Sequence, residues 1–318
     1  MFEQLKSSSV VAAAKRIAPH IKRTSLVRSE TLSRIAGGDV FLKNENEQIT
    51  GSFKLRGALN ALSTLPADKR ARGVVTSSAG NHGMGIACAA KTLGLKAKIY
   101  VPRTAPDVKK AGIRALGAEL DDAQPDYDAA MDAARAFGKQ TGRDYINPCL
   151  GDELLAGQGT VALEIVEQLP ALKSLVVNVG GGGLLGGCAS FIRNEMPKVR
   201  IYGAQSTNTA AMSKSLAADR VVEIPSVPTL ADGLAGQIDA DGLDIGKHSL
   251  DGIVTLTEDE IADTIAWFAK ELKIRVEGAG ACAAGAILHK KLRPETPCAV
   301  VVSGGNIDEA RWQKIVNR

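Results

Sequence analysis

Four short segments of this chain carry groups suited to chemistry. The first is Thr50-Gly51-Ser52-Phe53-Lys54-Leu55-Arg56-Gly57-Ala58, which puts a lysine near the start of a helix behind Gly-Ser and a phenylalanine. That is unusual company for a solvated charge, although nearly all lysines are surface charges and this segment alone does not displace that reading. The second, Ser77-Ser78-Ala79-Gly80-Asn81-His82-Gly83, follows a strand and opens a helix. Backbone N–H groups at such a start, with hydroxyls alongside, suit a carboxylate, and the Asn81 amide suits a phenolic oxygen. The plainer reading is a Gly/Ser-rich strand-to-helix turn.

The third segment is Val179-Gly180-Gly181-Gly182-Gly183-Leu184-Leu185-Gly186-Gly187. Successive glycines carry no Cβ, so consecutive amides can converge on phosphate oxygens, and the following helix adds its positive end. A flexible turn is the alternative, but packing gives little reason for a tetraglycine between a strand and a helix. The fourth, Val301-Val302-Ser303-Gly304-Gly305-Asn306, lies at the carboxyl end of a late apolar strand, where open α/β sheets place ligands. A serine hydroxyl there can bond a ring nitrogen; an ordinary strand-ending turn is the plain alternative. The third segment also spells G-x-G-x-x-G at Gly181, Gly183 and Gly186. A dinucleotide site wants an acid at the end of the next strand, which instead reads Tyr202-Gly203-Ala204-Gln205. A nicotinamide oxidoreductase therefore accounts for the tetraglycine only, and a catalytically silent binding protein does not account for Lys54.

The elements that must position these segments alternate. Val74–Thr76, Ala97–Val101, Leu175–Val179, Val199–Ala204, Ile253–Leu256 and Cys298–Val302 read as strands. Gly80–Leu93, Asp107–Leu116, Tyr127–Thr141, Asp152–Leu169, Leu184–Asn194 and Glu258–Leu272 read as helices, the last opened by a capping box from Thr257 to Glu260. Near-continuous apolar strands in such alternation predict mostly parallel sheets with helices on both faces. The turn-rich stretch Gly142–Gly151 reads as a lobe crossing, and residues 219–250, with two prolines and many Gly and Asp, read as an irregular surface excursion.

Composition narrows the function. The 318 residues are 45% hydrophobic and 23% charged, which is ordinary for a globular protein, with a net charge of only +4 and no dense basic run. No footprint for nucleic acid is present. Five scattered cysteines (Cys88, Cys149, Cys188, Cys282, Cys298) and four dispersed histidines form no metal-ligand pattern and indicate a reducing compartment, with Cys88, Cys188 and Cys282 expected to be buried. The apolar run Val10–Ala14 is too short for a secretory signal core, and no stretch is long enough to span a bilayer. These readings predict a cytoplasmic protein with no membrane or nucleic-acid partner.

Taken together, the segments resemble the fold-type II pyridoxal 5′-phosphate (PLP) enzymes, specifically the threonine/serine dehydratase and serine racemase-like branch. The resemblance runs from about Ala13 through Asp308 and includes Glu45-Asn46-Glu47-Gln48, Ala156-Gly157-Gln158-Gly159-Thr160, Leu230-Ala231-Asp232-Gly233 and Val276-Glu277-Gly278-Ala279-Gly280. It implies a two-lobed, tryptophan synthase β-like α/β fold, with residues 1–72 plus 151–318 as a large PLP-binding domain and 73–150 as a small one. It also implies a homo-oligomer, dimer or tetramer. By the same resemblance Lys54 carries PLP as a Schiff base and removes the Cα proton, while Phe53 packs by the ring. Asn81 bonds the ring hydroxyl, Gly180, Gly181, Gly182, Gly183 and Leu184 cradle the phosphate, and Ser303 meets the pyridine nitrogen. Ser78, Ala79, Gly80, Asn81 and His82 line the substrate carboxylate, with His82 as scaffold, and Gly233 and Glu277 hold lesser pocket positions.

The implied reaction is β-elimination of water from a small L-β-hydroxy amino acid such as L-threonine or L-serine, giving a 2-oxo acid and ammonia. Serine racemase, or a dehydratase acting on 3-hydroxyaspartate or phenylserine, is the alternative. Lys54-Leu55-Arg56-Gly57 follows the dehydratase/racemase pattern, because sulfhydrylase-type and threonine-synthase-type relatives carry Asp after the lysine. Racemase relatives look like Ser-Ser-Gly-Asn-His in the carboxylate loop, where the second serine is the opposing acid/base; Ala79 stands here instead. At positions where some branches hold a divalent metal with carboxylates this chain has Gln205 and Ala211, so no divalent metal site is expected and a monovalent ion stays open. Biosynthetic threonine dehydratases append a regulatory domain; with the last residue at Arg318, none is expected here.

Overall fold

The computed structural model describes residues 5–105 and 107–318. In chain order its strands are β1 (Leu26–Arg28), β2 (Val40–Asn44), β3 (Val74–Ser77), β4 (Ala97–Pro102), β5 (Glu119–Gln124), β6 (Asp144–Tyr145), β7 (Ser174–Asn178), β8 (Arg200–Ser206), β9 (Gly252–Leu256) and β10 (Cys298–Val302). They form a six-stranded sheet in the order β1-β2-β10-β7-β8-β9 and a four-stranded sheet in the order β5-β4-β3-β6. Every pairing is parallel except that of β1 with β2. The expected mostly parallel α/β architecture is what the chain forms.

The period of two in β10 explains why it reads as an unbroken apolar run. Ala299 and Val301 enter one core, with Leu175 and Val177 of β7 and the helices Asp152–Gln168 and Gly183–Glu195. Cys298, Val300 and Val302 enter the opposite core, under the helices Glu258–Trp267 and Gly278–Leu288. With helices on both faces, no position of the strand meets water. The smaller sheet is built the same way: Val74 packs with Leu55, Leu59 and Ile86, while Val75 packs with Ala130 and Ala134 on the other side. Helix Lys54–Ser63 thus lies on the smaller sheet, yet the residues before it are tied to the larger one by the Ser52–Gly304 bridge and by the Phe53 N–H donating to the Ser303 carbonyl.

Four strands escaped the sequence reading. In β2 a buried Lys43 interrupts the apolar run, and β5 is a charged edge strand that takes its place by pairing with β4. β1 and β6 have only three and two residues. The stretch 219–250 needs a larger correction. It is not a surface excursion: it contains the helix Ala240–Ser249, capped by the Asp239 carboxylate, and buries Ala231, Leu234, Leu243 and Ile245. Its glycines and aspartates obscured a helix whose apolar face is only a few residues long. Cys188 and Cys282 are buried as expected, whereas Cys88 is only half-buried.

Candidate active site

All four chemistry-bearing segments come to the carboxyl ends of parallel strands, or beside them. Gly180 follows β7, Ser303 follows β10 and Ser78 follows β3, while the Thr50–Phe53 segment runs along the end of β10. Tertiary folding therefore gathers residues 50, 80, 180 and 303 in the region where open sheets bind ligands.

Lys54 opens its helix with its amine donating to the Pro148 carbonyl at 2.7 Å and standing 5.3 Å from the Phe53 ring centroid. Among the described residues no carboxylate pairs with it. The carbonyl that holds it belongs to a tight turn, because the Asn147 carboxamide oxygen accepts from the N–H groups of Cys149 and Leu150. The residue after Pro148, Cys149, lies against the tetraglycine, since a Cβ on Gly181 would sit 2.6 Å from the Cys149 sulfur. The Asn-Pro pair marked a turn, but nothing in the sequence marked what it would touch.

In the glycine loop, Gly182 has φ +99°, a left-handed conformation that side chains rarely adopt, and it precedes helix Gly183–Glu195. Leu234 backs Gly180, and Ile245 lies 3.5 Å from where a Gly182 Cβ would be. Both belong to the stretch misread as surface, so the missed helix is the wall behind the cradle. Leu184 is buried in the core and offers the loop only its backbone.

Ser303 is buried, its hydroxyl accepting from the Asn178 amide at 3.2 Å and donating to the Ala279 carbonyl at 3.3 Å. Asn81 donates to a Glu277 carboxyl oxygen at 2.6 Å and accepts from the Asn306 amide at 2.8 Å. Glu277 is buried, and that burial, with Asp232 nearby, pushes its carboxyl up to about 8. Asn178, Asn306 and the Asn81–Glu277 bond were not foreseen, because each contact joins residues more than a hundred positions apart.

The Ser78–His82 loop ends β3. Gly80 N–H reaches the Ser78 hydroxyl at 3.2 Å, and no side chain caps helix Asn81–Leu93. The Ser52, Ser77 and Thr50 hydroxyls are buried without a hydrogen-bond partner among the described residues. His82 is buried, with Nε2 within 3.1 Å of the Thr76 hydroxyl and 3.4 Å of the Ile146 carbonyl. Burial, and secondly the Lys54 charge, hold its imidazole down to about 3, so it is neutral at physiological pH.

Arg56, in the same helix as Lys54, centres a buried charge cluster that sequence reasoning left as unconnected motifs. Arg56 forks onto Glu45 at 2.8 Å twice, and onto Glu164 at 2.7 and 3.0 Å. Lys43 binds the same Glu164 at 2.6 Å. Two cations and two carboxylates balance, and Arg56, Lys43 and Glu45 are each 0% exposed. The Glu45, Lys54-Leu55-Arg56 and Gln158–Thr160 segments thus meet around one guanidinium, two residues beyond Lys54. Elsewhere, Gln205 spends its amide on the Thr209 carbonyl and the Ser213 N–H.

These residues fit a phosphorylated aldehyde cofactor. Among the described residues no acid competes for the Lys54 amine, the glycine loop is bare of side chains, and the strand end at Ser303 offers a neutral hydroxyl. A family model described as pyridoxal-phosphate dependent enzyme matches residues 17–304. The chain is 41% identical over 299 residues to the L-threonine ammonia-lyase of Thermotoga maritima, covering 94% of this chain and 75% of that one. Its fold superposes on maize serine racemase with a TM-score of 0.93 at 30% identity, over 99% of this chain and 98% of that one. Threonine deaminase isoform 2 of Solanum lycopersicum superposes with a TM-score of 0.90 at 32% identity, over 98% and 87%. The chain belongs to the pyridoxal-phosphate-dependent enzyme family. Within it, the chain is an enzyme of the ammonia-lyase type, with PLP as its cofactor.

Proposed function

We propose that this enzyme removes water and then ammonia from a small L-β-hydroxy amino acid, L-threonine or L-serine, leaving a 2-oxo acid. The observation that carries the reading is the Lys54 amine, held by a carbonyl alone beside the Cys149–Gly181 contact and the strand end at Ser303. PLP supplies an electron sink that makes the substrate Cα proton removable. Lys54 would hold the cofactor through its amine, and the same amine would take that proton. The amides of Gly180 to Gly183 and Leu184 and the helix behind them hold the phosphate, and Phe53 packs beside the ring. The capless N–H groups after Ser78, with the unpartnered Ser77 hydroxyl, orient the substrate carboxylate against Ala79, Gly80 and Asn81.

Ser303 would present a neutral hydroxyl to the ring nitrogen of PLP, exchanging its 3.3 Å bond to the Ala279 carbonyl for that contact. A neutral partner there would make bound PLP a weaker electron sink, which favours loss of the β-hydroxyl, leaving with a proton as water. Ala79 offers a methyl group where a second base would stand, and neutral His82 is held by Thr76 and Ile146, so neither supplies a proton from the opposite face. This favours elimination over racemization.

Residues 1–72 with 151–318 form the cofactor domain in this reading and 73–150 the smaller one, with residues 1–4 outside the described residues. Five unpaired thiols fit a reducing cytoplasm, in which the chain works as a dimer or tetramer. Among the described residues no helix is long and apolar enough to cross a membrane.

The purified protein is expected to be yellow, with a visible imine band that borohydride bleaches. It should release 2-oxo acid from L-threonine or L-serine in preference to 3-hydroxyaspartate or phenylserine, with little D-serine. Lys54→Ala is expected to lose the band and to slow turnover by about 10²–10⁴-fold or more. A colourless protein that stays inert with added PLP, or turnover that survives Lys54→Ala, refutes the reading.

A further inference from the structure

The side chain of Asn81 is locked at both ends, and the polarity of the lock is set by a backbone carbonyl. The Thr50 carbonyl can only accept, and it takes one N–H of the Asn306 amide at 2.8 Å. The other N–H of that nitrogen faces the Asn81 oxygen at 2.8 Å. The Asn81 nitrogen must then face Glu277, to which it donates at 2.6 Å. An amide carries two N–H donors, so one N–H of Asn81 remains.

We propose that Glu277 is a positioning residue for the reaction, anchoring the far end of this chain so that the last N–H of Asn81 is held for the ring oxygen of the cofactor. The proposal rests on the reading that Asn81 meets that oxygen. Glu277 begins the segment that carries helix Gly278–Leu288, and its own N–H donates to the Gly304 carbonyl at 3.2 Å. The anchor therefore moves with the end of β10, where Ser303 also sits.

The role needs Glu277 to accept from Asn81, which both its protonated and ionised forms do. Burial first, and Asp232 second, hold its proton up to about 8; the Asn81 bond and Lys109 pull the other way. Asp232 and Lys109 pair with each other at 3.0 Å. The helix Gly278–Leu288 and the strand end Ser303–Asn306 bring no charge, and neutral His82 adds none. Raising the pH through this value therefore places a negative charge behind Asn81 without breaking the chain.

The test is a pH titration of the visible imine band of the holoenzyme, in wild type, Glu277→Gln and Glu277→Ala. Wild type is expected to show a spectral step near pH 8. Glu277→Gln keeps an acceptor oxygen but cannot ionise, so the band stays and the step disappears. Glu277→Ala loses the step and holds PLP about tenfold less tightly, because one hydrogen bond that orients Asn81 is gone. Infrared difference spectra of the cofactor-free protein follow the same carboxyl directly, its protonated signal fading as the pH rises in wild type and missing in Glu277→Gln. Absence of any imine band in wild type counts against Lys54 as the cofactor lysine, while the infrared titration still judges Glu277. A step of unchanged midpoint in Glu277→Gln, or PLP held as tightly by Glu277→Ala as by wild type, overturns the proposal.

Discussion

Replacing Arg56 by methionine tests whether the buried charge cluster around its guanidinium is a balanced, mutually dependent unit. Methionine fills much of the same volume and removes both forks at once, a total of four contacts between 2.7 and 3.0 Å. Glu45, at 0% exposure, is left with the Thr24 hydroxyl at 2.6 Å, while Glu164 keeps Lys43. Breaking a buried ion pair from one side costs about 3–5 kcal/mol, a large part of a total stability of about 5–15 kcal/mol. The expected outcome is a loss of about 3–5 kcal/mol at neutral pH, read from urea unfolding followed by the fluorescence of Trp267 and Trp312.

The pH dependence of that loss has a definite sign. Burial works to raise the Glu164 carboxyl, but the Arg56 bonds and charge outweigh it and hold it below its ordinary 4.5. A depressed carboxylate contributes stability that is complete above 4.5 and fades as the pH falls through the folded value. Arg56→Met removes part of that contribution, so the gap from wild type is widest at neutral pH and narrows below 4.5. Adding Glu45→Gln to the variant removes the orphaned charge and restores a large share of the loss. A loss under about 1 kcal/mol, typical of exposed pairs, or no recovery in the double variant, refutes the view that the cluster is a closed, mutually dependent unit.

Three further outcomes are expected. Gly181→Ala drives a Cβ to 2.6 Å from the Cys149 sulfur, and overpacking of about 1–3 kcal/mol lowers PLP affinity about 5- to 150-fold, with Cys149→Ala restoring part of it in a PLP titration. His82 has a folded value of about 3 against 6.5, so the unfolded chain binds the extra proton between those values and stability falls by about 1.4 kcal/mol per pH unit on acidification. In His82→Gln that part of the slope should vanish from unfolding measured across this range. Thr257→Ala removes the side chain that accepts from Glu260 N–H at 3.3 Å in the capping box; it is expected to cost about 0.5–2 kcal/mol in unfolding without moving the imine band.

What the sequence alone determined was local. Lys54 ahead of a helix, four glycines after an apolar strand, a Ser-Gly-Gly-Asn strand end and the Thr257–Glu260 box are each written in adjacent residues, because backbone freedom and capping depend on near neighbours. The doubly buried strands are legible for the same reason, since a strand covered on both faces is mostly apolar, as β10 is throughout. Tertiary structure decided the rest. The Pro148 carbonyl on the Lys54 amine, Cys149 and Ile245 behind the glycine cradle, the Asn306–Asn81–Glu277 chain and the Arg56 cluster all join residues far apart in the chain. A hydrogen bond or ion pair between distant residues leaves no periodic trace in either segment, and a buried charge such as Lys43 looks like a surface charge until its partners arrive from another element. Only packing the two sheets together determines which polar groups lose water, and so which of them must find one another.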